Sequence, residues 1–173
     1  MKYPNPKEDT QPHLFQINVN PEGGVPKRPV PSTRLCVGGV SGDKQNDLRH
    51  HGGPSRAVCL FSFELIEALQ QEGHPIEPGS TGENLTLSGL RWELLSAGDR
   101  LIIGDAILEL TSLTPPCHLI KKSFLEGHLE RISQKTFPGW SRWYASVAKE
   151  GLVHTGDSVT LESKAPSSGD SPF

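Results

Sequence analysis

The sequence predicts a mostly β domain, a small β-barrel with a few short helices packed at its ends. Two observations predict it. The chain holds 18 glycines and 15 prolines against 6% aromatic residues in 173 positions, a density of breaks that favours short strands and turns over long helices. Its periodic segments are also short apolar or alternating runs, with a single clear helical pattern among them. At 173 residues and 18.8 kDa the chain suits one domain, long enough to bury roughly two thirds of its unfolded surface around a single core.

The elements follow in chain order. Residues 1–13 are polar, proline-containing and aperiodic, and read as a flexible tail. Residues 14–19 alternate apolar and polar side chains and run into Pro21-Glu22-Gly23-Gly24, as a strand ending in a loop does. Ala57-Val58-Cys59-Leu60-Phe61 is a short apolar run fitting a buried strand. Ser62 caps a helix through about Gln71, with Leu65, Ile66 and Leu69 on one face and Gly73 as its stop. Leu101-Ile102-Ile103, Gly104-Asp105 and Ala106 to Leu110 form a hairpin. Residues 119–125 and 129–135 read as short helices separated by Gly127, and 144–148 and 158–161 as strands joined through Gly151 and Gly156-Asp157. The domain therefore spans 14–163, and the polar residues 164–173 form a second flexible tail. No internal repeat at a solenoid period occurs.

Composition excludes several function classes. A net charge of −3 and a pI near 6.2 provide no overall basic field for nucleic acid or an anionic membrane. Three cysteines, Cys36, Cys59 and Cys117, cannot form a complete disulfide framework, which fits a reducing cytoplasm. The N-terminus lacks an apolar signal region and no apolar run approaches about 18 residues, so the protein is expected to be cytoplasmic, neither exported nor membrane-spanning. No glycine pattern matches a phosphate loop or a dinucleotide fingerprint. The cysteines also cannot supply an iron–sulfur cluster.

The most informative segment is Pro115-Pro116-Cys117-His118. Both prolines have a fixed φ and no N–H, so the thiol sits on a stiff turn. A helix starting at Leu119 would add free N–H groups and a dipole that favour the thiolate. Cys117 is therefore a candidate nucleophile, sulfur carrier or metal ligand, with a small buried hydrophobe as the alternative. In His50-His51-Gly52-Gly53-Pro54-Ser55-Arg56, two glycines permit close approach of a ligand, His51 offers a neutral donor or acceptor, and Arg56 a fork for phosphate. The same run can be a plain tight turn. Adjacent histidines point to opposite sides of an extended chain and chelate zinc poorly. Lys27 behind Gly23-Gly24-Val25-Pro26, Asp43 after Gly38-Gly39-Val40-Ser41-Gly42, and Asn84 in Gly82-Glu83-Asn84-Leu85-Thr86 are each a ligand contact or an ordinary loop residue.

Taken in order, these segments, with Pro78-Gly79 and Gly98-Asp99, resemble the MOSC domain family, and specifically its stand-alone bacterial YiiM-like branch, over about residues 14–162. The resemblance implies a β-barrel core, molybdenum cofactor (molybdopterin) binding, and reduction of N-hydroxylated compounds such as hydroxylaminopurines. Pyridoxal phosphate binding is a further association of the family. It implies Cys117 as the ligand to molybdenum, and His51, Gly52, Gly53 and Asn84 as lining of the cofactor pocket. Lys27 and Asp43 fall where a proton donor or anion contact is expected, and Arg56 and Arg142 fall to the anionic cofactor, Arg142 to its phosphate. Electrons would come from a separate flavin or iron–sulfur protein. Two other readings of Cys117 stand beside this one: a persulfide carrier, and a metal-free nucleophile with Lys27, Asp43 or His51 as acid–base partner. A homodimer stays open, since no exposed apolar stripe can be read from the sequence.

Overall fold

A computed structural model describes residues 3–44 and 53–164; His50, His51 and Gly52 lie outside them, as do residues 165–173. The first strands are β1 (His13–Val19), β2 (Arg28–Val30), β3 (Ser32–Cys36), β4 (Gly39–Val40) and β5 (Val58–Ser62). Helix α1 (Phe63–Gln71) and strand β6 (Leu85–Ser88) come next. Then follow β7 (Arg100–Ile103), β8 (Ala106–Thr114), β9 (Arg142–Lys149), β10 (Gly151–His154) and β11 (Val159–Glu162).

Eight strands form one sheet in the order β11-β7-β8-β9-β5-β6-β1-β2, and β10-β3-β4 form a second. The large sheet does not close into the expected barrel. Its two ends approach each other around a single bridge between His13 and Ser158, where Leu14 donates to the Asp157 carbonyl and Val159 to that of Pro12. Among the described residues no ladder continues from this bridge, and β2 pairs with β1 only at its far end, Ile17 to Val19. Strands β5 and β6 run parallel, which requires a crossover, and α1 supplies it. The Ser62 hydroxyl accepts from the Leu65 N–H, and Leu65, Ile66 and Leu69 are buried beneath the helix, as the sequence indicated.

The 104–105 hairpin also forms as read, pairing Ile103 with Ala106. A register shift between Leu110 and Ser112 breaks the β8–β9 ladder. Such a bulge bends its strand, and here it lies just before Thr114 runs into Pro115-Pro116-Cys117. The expected helix after Cys117 is instead a 3-10 turn, His118–Ser123, and the second is another, Leu129–Ile132. Phe124 is extended and Glu126 has a φ of 52°, which interrupts the α-helical path. Cys117 therefore heads a short 3-10 turn, without the α-helix dipole the sequence suggested. The segment is held down by Arg131, which donates to both Glu72 carboxylate oxygens at 2.8 and 2.7 Å and lies 3.6 Å over the Trp140 ring.

The stretch before β1 is anchored where the sequence reads as a tail: the Tyr3 hydroxyl donates to the Gly139 carbonyl and its ring meets Trp140 edge-on. No helix among the described residues is long and apolar enough to cross a membrane.

Candidate functional site

Several segments of the chain meet at one cleft. The 20–27 loop contributes Val25 and Lys27, the 79–84 turn Thr81 and Asn84, the 115–120 segment Cys117 and Leu119, and β9 Arg142 and Tyr144. Of the residues singled out from the sequence, Lys27, Arg56, Asn84, Cys117 and Arg142 share this cleft. Gly53 is exposed, with a φ of 80°, and is not part of the cleft wall.

Asp43 stands behind the wall rather than on it. One of its carboxylate oxygens accepts from the Lys27 ammonium and from Asn84 Nδ2, and the other from the Asn20 N–H. A carboxylate accepting from all these donors ties the 20–27 loop to the 79–84 turn. Asn84 is 2% exposed. Its Oδ1 accepts from the Cys59 N–H, so its amide ties β5 to the Asp43–Lys27 pair. Asn20, which drew no notice in the sequence, clasps the loop from within: its Nδ2 donates to the Gly23 carbonyl, and its own carbonyl accepts from the Lys44 N–H. Asn-Pro was the available signal for such a turn.

Arg142 is 4% exposed. It donates to the Thr81 carbonyl, and to that of Pro115 at 3.3 Å, so it bridges the 79–84 turn to the cysteine segment. Its Nε is buried with no partner among the described residues. Arg56 places its guanidinium 5.6 Å over the Tyr144 ring.

Two thiols line the cleft. Cys59, which read as an ordinary buried strand residue, lies in the wall with Cys117. Burial pushes the Cys59 thiol up, against the pull of the Arg142 charge. Cys36 lies elsewhere, 3.8 Å from the Ser41 hydroxyl. Among the described residues no cluster of three or more His, Cys, Asp or Glu side chains could hold a metal unaided.

The comparisons with known proteins agree with this architecture. The model of the MOSC domain matches residues 47–160. The chain belongs to the MOSC domain family. Its relatives place it with the YiiM-like members. It is 32% identical to the uncharacterised YflK of Bacillus subtilis (strain 168), over 83% of this chain and 65% of that protein. To YiiM of Escherichia coli (strain K12) it is 27% identical, over 73% of this chain and 57% of the relative. The chain thus spans less than two thirds of either relative's length. Among solved structures, YiiM from Geobacillus stearothermophilus superposes with a TM-score of 0.70 at 25% identity, over 88% of this chain and 75% of that one. The YUAD protein from Bacillus subtilis gives 0.73 at 18% identity, over 90% and 98%, and shows the fold alone.

Tyr144 lies on the cleft two residues after Arg142 on β9. Burial pushes its phenol up to about 12, helped by Cys59 and opposed by Arg142 and Arg56. Burial and Glu93 also raise Tyr3, the only other tyrosine. The folded MOSC domain is therefore expected to show no tyrosinate absorbance near the ordinary phenol pKa of about 10. An unfolded chain ionises there, so the stability these phenols contribute is present below about pH 10 and lost as pH climbs towards about 12. A spectrophotometric titration with half its amplitude at the ordinary phenol value would contradict the buried setting of Tyr144.

Proposed function

We propose that this MOSC protein is a molybdenum-cofactor-dependent reductase of N-hydroxylated compounds such as hydroxylaminopurines, with Cys117 as the protein ligand to the metal. The observation that carries this reading is the meeting of one partly exposed thiol, Cys117, with Lys27, Asn84 and Arg142 on a single cleft. The donor set suits the cofactor. Thiolate is a soft ligand, and a buried guanidinium with a spare N–H suits the phosphate of an anionic group. A metal that arrives with its own organic ligand needs no further protein cluster.

When bound, the cofactor supplies the two-electron reduction. The overall change balances as R–NHOH plus two electrons and two protons giving R–NH₂ and water. Cys117 anchors, Arg142 and Asn84 orient, and Lys27 holds a proton at Nζ for the departing water while Asp43 fixes the direction of its ammonium. The electrons come from a separate flavin or iron–sulfur protein.

Elemental analysis tests the proposal directly. Protein purified from a host that makes the cofactor is expected to contain molybdenum close to one atom per chain. Metal-stripped protein that still turns over would support a metal-free cysteine enzyme. A persulfide on Cys117 in the intact mass, without molybdenum, would support a sulfur carrier.

A further inference from the structure

We infer that Glu83 is the positioning residue of the cleft, a buried carboxylate that sets the places of Lys27 and Arg142 through the backbone of the 79–82 turn. The inference rests on the reading of this cleft as the functional site. Glu83 is 0% exposed. Its Oε1 accepts from the Gly79 N–H at 2.6 Å and from the Thr86 hydroxyl at 3.3 Å, and its Oε2 from the Thr81 hydroxyl at 2.7 Å.

Besides the Ser123 hydroxyl, which donates to Ser80, the turn so gripped is bonded to both cationic residues. The Gly79 carbonyl accepts from the Lys27 N–H at 2.9 Å, and the Thr81 carbonyl accepts from Arg142 Nη1. Contact at Gly79 is close enough that a Cβ would run into the Lys27 carbonyl, and its φ of 86° already demands glycine. The turn and the Lys27 backbone are thereby locked together, and movement of the turn carries both cations with it.

A carboxylate fits this position because all three partners donate. An amide would present its own donor to at least one of them. Burial pushes the Glu83 carboxyl up, while the Gly79 and Thr81 hydrogen bonds and the Arg142 charge favour its ionised form. The carboxylate thus sits at the base of the turn, tied to Lys27 by one bond of the backbone and to Arg142 by another. Neither cation touches it through a hydrogen bond of its own.

The test compares Glu83→Gln and the milder Thr81→Val with the unmodified chain by site-resolved amide hydrogen exchange and by molybdenum content. Both variants are expected to speed exchange of the Lys27 amide, by about tenfold for Glu83→Gln, while amides of the β8–β9 ladder keep their rates. Molybdenum per chain is expected to fall in the same order. Exchange that rises uniformly across the sheet means a merely structural residue and overturns the inference, as does an unchanged Lys27 amide. If Glu83→Gln fails to fold, Thr81→Val alone decides by the same criteria. If the unmodified protein holds no molybdenum, the proposed function falls, and the exchange pattern still decides whether Glu83 sets the turn.

Discussion

Cys117→Ser is expected to abolish both molybdenum retention and the reduction of N-hydroxylated bases while leaving the fold intact. The oxygen of serine keeps nearly the same shape and loses the soft thiolate. Cys117 is only partly buried and has an extended backbone that any residue adopts, so the exchange introduces no cavity and no strain. Loss of activity should exceed about a hundredfold, since removing groups that merely support a metal ligand already costs about 10–100-fold. Cys59→Ser serves as the comparison, because it alters the second thiol of the same cleft. Wild-type activity in Cys117→Ser, with molybdenum still bound, would remove the thiol from the proposed chemistry altogether.

Asp43→Asn should have the largest effect on stability among changes at the site. The carboxylate accepts from Lys27, Asn84 and Asn20, and the Lys27 and Asp43 side chains are 11% and 3% exposed. An asparagine leaves the lysine charge unpaired and turns one acceptor into a donor facing other donors. Removing one partner of a buried ion pair costs about 3–5 kcal/mol. Lys27 keeps some contact with water, which favours the lower end, about 3 kcal/mol. For a chain of this size that corresponds to a Tm lowered by roughly 6–12 °C. Thermal unfolding measures it, and a fall of about one degree or less would mean that the pair is already well hydrated.

Much of the fold was legible where a local signal matched a local structure. Ser62, the apolar face of Leu65, Ile66 and Leu69, and Gly73 specify α1 through capping and period alone. Gly104-Asp105 between two apolar runs specifies a hairpin. Other elements were hidden by residues that break local patterns for non-local reasons. Gly151 reads as a turn, yet it opens β10, and a Cβ there would strike the backbone of Asp105 and Ala106; the glycine serves close packing. Strand β3 follows directly on Pro26, Pro29 and Pro31, and its pairing with β10, more than a hundred residues later, has no local signature.

The site divides along the same line. Pro115-Pro116-Cys117 marks a stiff thiol, and the glycine loops before Lys27, Asp43 and Asn84 mark places where backbone can approach a ligand; both follow from residue chemistry and were available from the sequence. Tertiary structure alone decided which of these groups face a common space. It brought Lys27, Asn84, Cys117 and Arg142 to one cleft, withdrew Asp43 behind the wall, and added Cys59 and Tyr144. It also left the large sheet open at the His13–Ser158 bridge. Sequence by itself determined the capped helix, the hairpin and the chemical character of the loops, because caps, turns and fixed φ angles act over a few neighbouring residues. The cleft and the sheet edges depend on strands far apart in the chain, and their pairing is chosen by burial of a shared core that no single segment encodes.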